Sequence, residues 1–213
     1  MGKSIRGKLI DGIAAGRVGD WFRTEGFQRR GRSFLRSHGD LLLTSNLQAR
    51  KCSGPEHAEF CVNLGVEWPH WQLIWTGGKT PSNPALAPTF IQQRLHPTDG
   101  PGRDYWWPAD QDANSERVAV EIVTALATHA EGFWTRYSDL DGVLKECDAE
   151  TRVPTGTPQK LVHVALLVRA DRMEDARSTM PGARWQKQRE GQRRASQDVR
   201  TYRSGLGLLN ALS

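Results

Sequence analysis

The apolar positions of this chain change period several times, and each change predicts an element. In "FCVNLGVEW", residues 60–68, Phe60, Val62, Leu64, Val66 and Trp68 alternate with Cys61, Asn63, Gly65 and Glu67. That two-residue period belongs to a strand with one buried face. "DLLLTSNLQ" (40–48) repeats it more weakly, with Leu43, Ser45 and Leu47 set against Thr44, Asn46 and Gln48. "RSFLR" (32–36) and the turn "SHGD", with Gly39, come just before. These pieces predict a hairpin followed by a third strand, and "TFIQQRLH" (89–96) offers a fourth.

Helical spacing frames the strands. Ile5, Leu9, Ile13, Trp21 and Phe22 predict a helix over residues 4–25 with a weak middle at Gly16 and Gly19, and Gly26 suits the left-handed position after its last turn. Val118, Ile122, Leu126, Ala130 and Phe133 form one stripe of a helix capped by Asn114 or Ser115. "SDLDGVLKEC" predicts a short helix with Ser138 as its cap. "QKLVHVALLVRADRMEDARSTM" (159–180) reads as a helical hairpin after Pro158, its second helix starting at the Asp171–Glu174 capping spacing and ending at Gly182. Between strands and helices, residues 69–113 are broken repeatedly by proline and glycine, and the tryptophans of "RDYWWP" serve as an anchor for this long loop. The expected fold is α+β: an N-terminal helix, an antiparallel sheet of about four strands, and a helical C-terminal third packed on one face. Residues 1–137 would form the core domain and 138–213 a helical extension with a basic tail.

Composition changes the picture in three places. Eight tryptophans in 213 residues supply large buried areas to a chain that is only 38% apolar, with mean hydropathy −0.58. The net charge of +5 is unevenly spread. Arg23, Arg29, Arg30, Arg32, Arg36, Arg50 and Lys51 concentrate it near the start, and Arg184, Lys187, Arg189, Arg193, Arg194, Arg200 and Arg203 near the end, with acidic residues 139–150 between. Cys52, Cys61 and Cys147 are odd in number and lack framework spacing, which points to a reducing compartment. No apolar run reaches the length of a membrane span or a signal segment, so a cytoplasmic protein without a membrane partner is expected.

Five pieces in this order carry a resemblance: "GFQRRGRSFLR" (26–36), "LTSNLQARK" (43–51), "FCVNLGVEW" (60–68), "QQRL" (92–95) and "DYWWP" (104–108). Together they resemble the bacterial family known as domain of unknown function 4304, over about the first 135 residues. The resemblance implies an α+β fold and a stand-alone cytosolic bacterial protein, and it carries no activity with it. The insert around 76–88 and the basic tail extend beyond the family's pattern.

Three sets of residues are candidates for recognition. The polar sheet face brings Asn46, Gln48, Asn63 and Glu67 together with Arg32 or Arg36, and with Arg94. Amides present donors and acceptors at once, so such a cluster can orient a peptide, a sugar or a base edge; the competing reading is that a helix or the long loop covers this face and the amides satisfy buried backbone groups there. Trp106 and Trp107 could stack on bases, against packing onto the sheet. In the tail, Lys187, Arg189, Arg193, Arg194, Arg200 and Arg203 could each neutralise a phosphate, against a solvated charge run.

Catalytic motifs are lacking. The six histidines are scattered, and there is no G-x-S-x-G, P-loop or H-E-x-x-H. Cys52, His57 and Cys61 lack the second ligand pair that a zinc site uses. No cofactor is expected. We expect a non-catalytic cytosolic bacterial binding protein that recognises a protein or nucleic-acid partner, with a role in immunity or phage defence. The alternatives are an enzyme acting on nucleic acid, with Asp40, Glu67 and Gln48 around a metal, and simple nucleic-acid binding through the tail.

Overall fold

The computed structural model describes residues 5–50, 58–69, 71, 89–98, 105–109, 115–156 and 158–179. The chain divides into two compact units, residues 1–67 with 91–143 and residues 68–90 with 144–213.

The first unit is the α+β core. The N-terminal helix is in fact two, α1 (Ile5–Ala15) and α2 (Arg17–Thr24). Gly16 breaks the run, and the close approach of the two helices needs a glycine at position 19, since a Cβ there would lie 2.6 Å from the Ala14 carbonyl oxygen. Gly26 has φ +78° as the pattern predicts. Its N–H bonds to Arg23 O and that of Phe27 to Phe22 O, closing the last turn of α2, and the Phe22 and Phe27 rings meet edge to face beside it.

The sheet has six antiparallel strands rather than about four: β1 (Gln28–Arg30), β2 (Ser33–His38), β3 (Leu41–Ala49), β4 (Ala58–Glu67), β5 (Ile91–Arg94) and β6 (Trp107–Ala109). They lie in the order β1-β2-β3-β4-β5, and β6 pairs with β4 beyond β5. Glycines in the left-handed region, Gly31 and Gly39, make the two tight turns of the β1-β2-β3 meander. The unforeseen strands, β1 and β6, are three residues each. Nothing in so short a segment shows an alternation; only pairing with β2 and β4 makes them strands.

One face of the sheet carries Phe34, Leu43, Leu47, Phe60, Val62, Leu64, Val66, Ile91 and Trp107, all buried. Helices α1, α2 and α3 (Ser115–Ser138) pack against its strands. The predicted stripe of α3 is buried from Val118 to Phe133. Phe22 stacks on Phe34 at 4.0 Å between ring centres, and Trp134 of α3 meets Phe27 at 4.7 Å. Ser45 lies on this face, 1% exposed, in register with Phe34 and Leu64.

Helix α4 (Leu140–Asp148) begins with a different cap from the one expected. Asp139 Oδ1, not Ser138, accepts the Gly142 N–H at 3.0 Å, because α3 runs on through Ser138.

In the second unit, Phe90 packs against Trp68 and Trp71. Helices α5 (Gln159–Arg169) and α6 (Met173–Thr179) form the expected hairpin. Pro158 takes the N-cap place of α5, and Asp171 supplies the left-handed turn residue (φ +58°) rather than a cap. Asp148 Oδ1 accepts from His163 Nε2 at 2.8 Å, and Arg172 bridges Asp148 and Asp175, tying the start of α6 to the end of α4. Gly182 lies outside the described residues.

Among the described residues no helix is long and apolar enough to cross a membrane.

Candidate functional site

The register of the sheet sets one polar row across its second face. Arg30 pairs with Ser33, Ser33 with Asn46, Asn46 with Asn63, and Asn63 with Arg94. Directly paired residues share a face, so all five side chains belong to the face opposite the helices. Strands about 4.8 Å apart put the arginine backbones at the two ends about 19 Å from one another. The next position along β3 and β4 adds the pair Gln48 and Cys61.

The centre of this row is closed. Asn63 is only 3% exposed, and Cys61 and Gly65 beside it are buried. The alternation of β4 therefore does not separate a wet side from a dry one. Asn63 Nδ2 donates to Asn46 Oδ1 and Gln48 Oε1, both at 2.9 Å, while its Oδ1 faces the Cys61 thiol at 3.7 Å. Both amide hydrogens of Asn63 are thus used internally, by neighbouring side-chain amides rather than by buried backbone groups.

The periphery of the row differs. Gln48 and Arg50 are exposed; Asn46, Arg94 and Trp106 are half-buried. The Arg94 guanidinium lies 4.6 Å from the centre of the Trp106 ring, and that of Arg50 lies 5.3 Å from the same ring. A tryptophan ring attracts cations through its quadrupole and holds their planar heads in place. Arg50 also donates to Glu59 Oε2 at 2.6 Å.

Several predicted members lie elsewhere. Arg32 is not on the amide face: its guanidinium reaches back to α1, donating to Asp11 Oδ1 at 2.6 Å and to Gly7 O at 2.8 Å. Arg36 is on the helix-covered face, donating to Glu25 O, pairing with Glu131 and lying over the Phe27 and Trp134 rings. Arg32 occupies the turn, where the strand parity that would have aimed it no longer holds, and the burial of Phe34 carries Arg36 to the same side. The adjacent tryptophans separate in the same way, since neighbours on an extended chain point to opposite faces. Trp107 is fully buried against Phe60, so the two do not form a common stacking platform.

Glu67 is at the other end of the sheet. It pairs with Leu42, and Gln48 is six residues further along β3, about 20 Å away at strand rise. Asp40, in the turn before Leu41, stands at the Glu67 end. Asp40, Glu67 and Gln48 therefore cannot surround one metal ion, and no group of three ligand-type side chains does so among the described residues. Cys52 and His57, and the tail residues Lys187, Arg189, Arg193, Arg194, Arg200 and Arg203, lie outside the described residues.

Sequence reasoning missed Arg50 and Arg30 as members of this face. Arg50 follows the end of β3 with the parity of Asn46 and Gln48, a signal present in the sequence. Arg30 could be found only from the pairing of β1.

No curated protein and no solved structure matches the chain. Residues 18–136 match the family described as Domain of unknown function (DUF4304), a span that holds all six strands and nearly all of α2 and α3. With the larger part of its length in that match, the chain belongs to the DUF4304 family.

Proposed function

We propose that this chain is a non-catalytic binding protein that recognises a macromolecular partner with the periphery of its polar sheet face. The contact residues are Gln48, Arg50, Arg94 and Trp106, with Asn46 at the margin. The observation that carries this reading is the placement of two guanidinium groups on one half-buried tryptophan, next to an exposed amide. Ordered arginines and tryptophan are the side chains in which interfaces concentrate their energy, because little conformational freedom is lost on contact. Asn63 contributes by fixing Asn46 and Gln48 rather than by touching the partner.

We place the protein in the bacterial cytoplasm, where the buried thiols of Cys61 and Cys147, neither in a disulfide, suit reducing conditions. A role in immunity against a toxin, or in phage defence, suits a small binder of this kind.

The test is affinity capture from native cells with the full chain and with its Arg94→Ala and Trp106→Ala variants. A specific macromolecule held by the native chain and lost with both variants is the expected result. Recovery of nothing specific, or equal recovery by all three, overturns the proposal.

A further inference from the structure

The amide triad has a polarity that its composition does not reveal. An isolated asparagine or glutamine offers a donor and an acceptor to any visitor. Here the Asn63 NH₂ group consumes the side-chain oxygens of both Asn46 and Gln48. The Cys61 thiol, a donor, faces Asn63 Oδ1 and sets that orientation. With their oxygens turned inward, Asn46 and Gln48 direct their NH₂ groups away from Asn63. Arg50 and Arg94 add guanidinium groups, which have donors and no acceptor. These four side chains therefore turn donors outward, beside the one carboxylate of Glu59.

A surface of this kind discriminates by chemistry. A partner that brings amides or hydroxyls leaves some donor opposite a donor, whereas one that brings acceptors, and negative ones, complements both the amides and the guanidinium groups. Two acceptor-rich macromolecules qualify, an acidic polypeptide and a nucleic-acid backbone. Single-stranded nucleic acid is held chiefly by bases stacking on open aromatic faces. No phenylalanine, tyrosine or tryptophan among the described residues is exposed, the one large apolar side chain that is being Val120, and the Trp106 ring already carries guanidinium groups. A carboxylate, by contrast, has a precedent at the site, since Arg50 already holds that of Glu59 at 2.6 Å. The spacing agrees as well. Asn46, Gln48 and Arg50 follow one another at two-residue steps, about 6.6 Å each along a strand, the same repeat at which an extended partner displays alternate side chains.

Resting on the reading of this face as a binding surface, we infer that its partner is an acidic protein segment, bound in extended form through carboxylates along Asn46, Gln48 and Arg50 and at Arg94. The Glu59 carboxylate occupies part of that site in the free protein and is displaced or shared when the partner arrives.

Gln48→Glu separates this inference from its rivals, because a carboxylate still accepts the Asn63 hydrogen bond but replaces the outward donor by a negative charge. Fluorescence anisotropy of the full chain with a labelled decaglutamate peptide, a labelled decaglutamine peptide and a labelled ten-nucleotide oligothymidylate gives the readout, with circular dichroism to verify folding. The expected result is binding of decaglutamate alone, weakened at least tenfold by Gln48→Glu and by Arg94→Ala, and strengthened severalfold by Glu59→Gln. Binding of oligothymidylate in preference to decaglutamate, with the same dependence on Arg94, overturns the acidic-protein assignment and leaves the face as a binding surface. Binding of decaglutamine as tight as that of decaglutamate, binding that ignores Gln48 and Arg94, or no binding of any probe overturns the acidic-protein assignment, and the capture experiment above decides the binding surface separately.

Discussion

Asn63 on β4 donates a 2.9 Å hydrogen bond to Oδ1 of Asn46, its direct cross-strand partner on β3. This bond and its companion to Gln48 convert three ambivalent amides into one oriented group. Replacing Asn63 by alanine removes both hydrogen bonds made by a buried amide, each contributing about 0.5–1.5 kcal/mol. Urea denaturation of Asn63→Ala should show a loss of that size. Asn63→Asp should be more damaging at pH 7 than at pH 4, because a buried carboxyl is tolerated only when protonated.

The contact between α1 and α2 makes a second prediction, in which helix propensity has the wrong sign. Gly19→Ala gains about 1 kcal/mol of propensity but drives a methyl to 2.6 Å from a backbone oxygen that cannot turn aside. Overpacking of this kind costs about 1–3 kcal/mol, so the midpoint of thermal unfolding should fall. Gly12→Ala on α1, with nothing within 4 Å of the new methyl, should raise it.

Ser45 carries a hydroxyl among Phe34, Leu64 and the rest of the helix-covered face, with no hydrogen-bond partner for its Oγ among the described residues. Ser45→Ala removes a desolvated group that nothing repays, and should stabilise the fold by about 1 kcal/mol in denaturant titrations. A loss of stability would contradict this account of the site.

In the second unit, the hydrogen bond from Arg172 holds the Asp148 carboxyl below its ordinary pKa; burial pushes upward by less than that bond lowers, and the bond from His163 adds a smaller lowering. A carboxyl with a lowered native pKa contributes stability that is complete above its unfolded value, about 3.9, and that disappears as the pH falls through the lower native value. Asp148→Asn should therefore lower stability at pH 7 and flatten the decline below about pH 4. Urea midpoints measured from pH 2 to 7 check both.

Burial, with Asp148 and Glu146 nearby, pushes the Cys147 thiol up to about 11. Cys61 is buried as well. Iodoacetamide at pH 8 followed by peptide mapping should leave both unlabelled in the native protein and label both in urea, since the thiolate is the reactive form. Rapid native labelling of Cys147 would show that its helix opens.

Local patterns in the chain were enough to locate α3, the β2-β3 turn, β4 and the left-handed Gly26, because each is set within a few residues by backbone geometry and by which side chains avoid water. The same patterns were silent on β1 and β6, which are too short to show a period and exist only through their partners. Apart from the parity of Arg50, they were also silent on which cations reach which face. Arg32 and Arg36 turn to the helices, Arg50 and Arg94 meet on Trp106, and Trp107 enters the core, each outcome depending on segments far apart in the chain. An outward position on a strand is fixed by parity alone, but whether Asn63 meets water there is decided by what the rest of the protein lays over it. Tertiary pairing alone aligns Arg30, Ser33, Asn46, Asn63 and Arg94 in one row, because register is a property of hydrogen bonds between strands and leaves no trace in any single one.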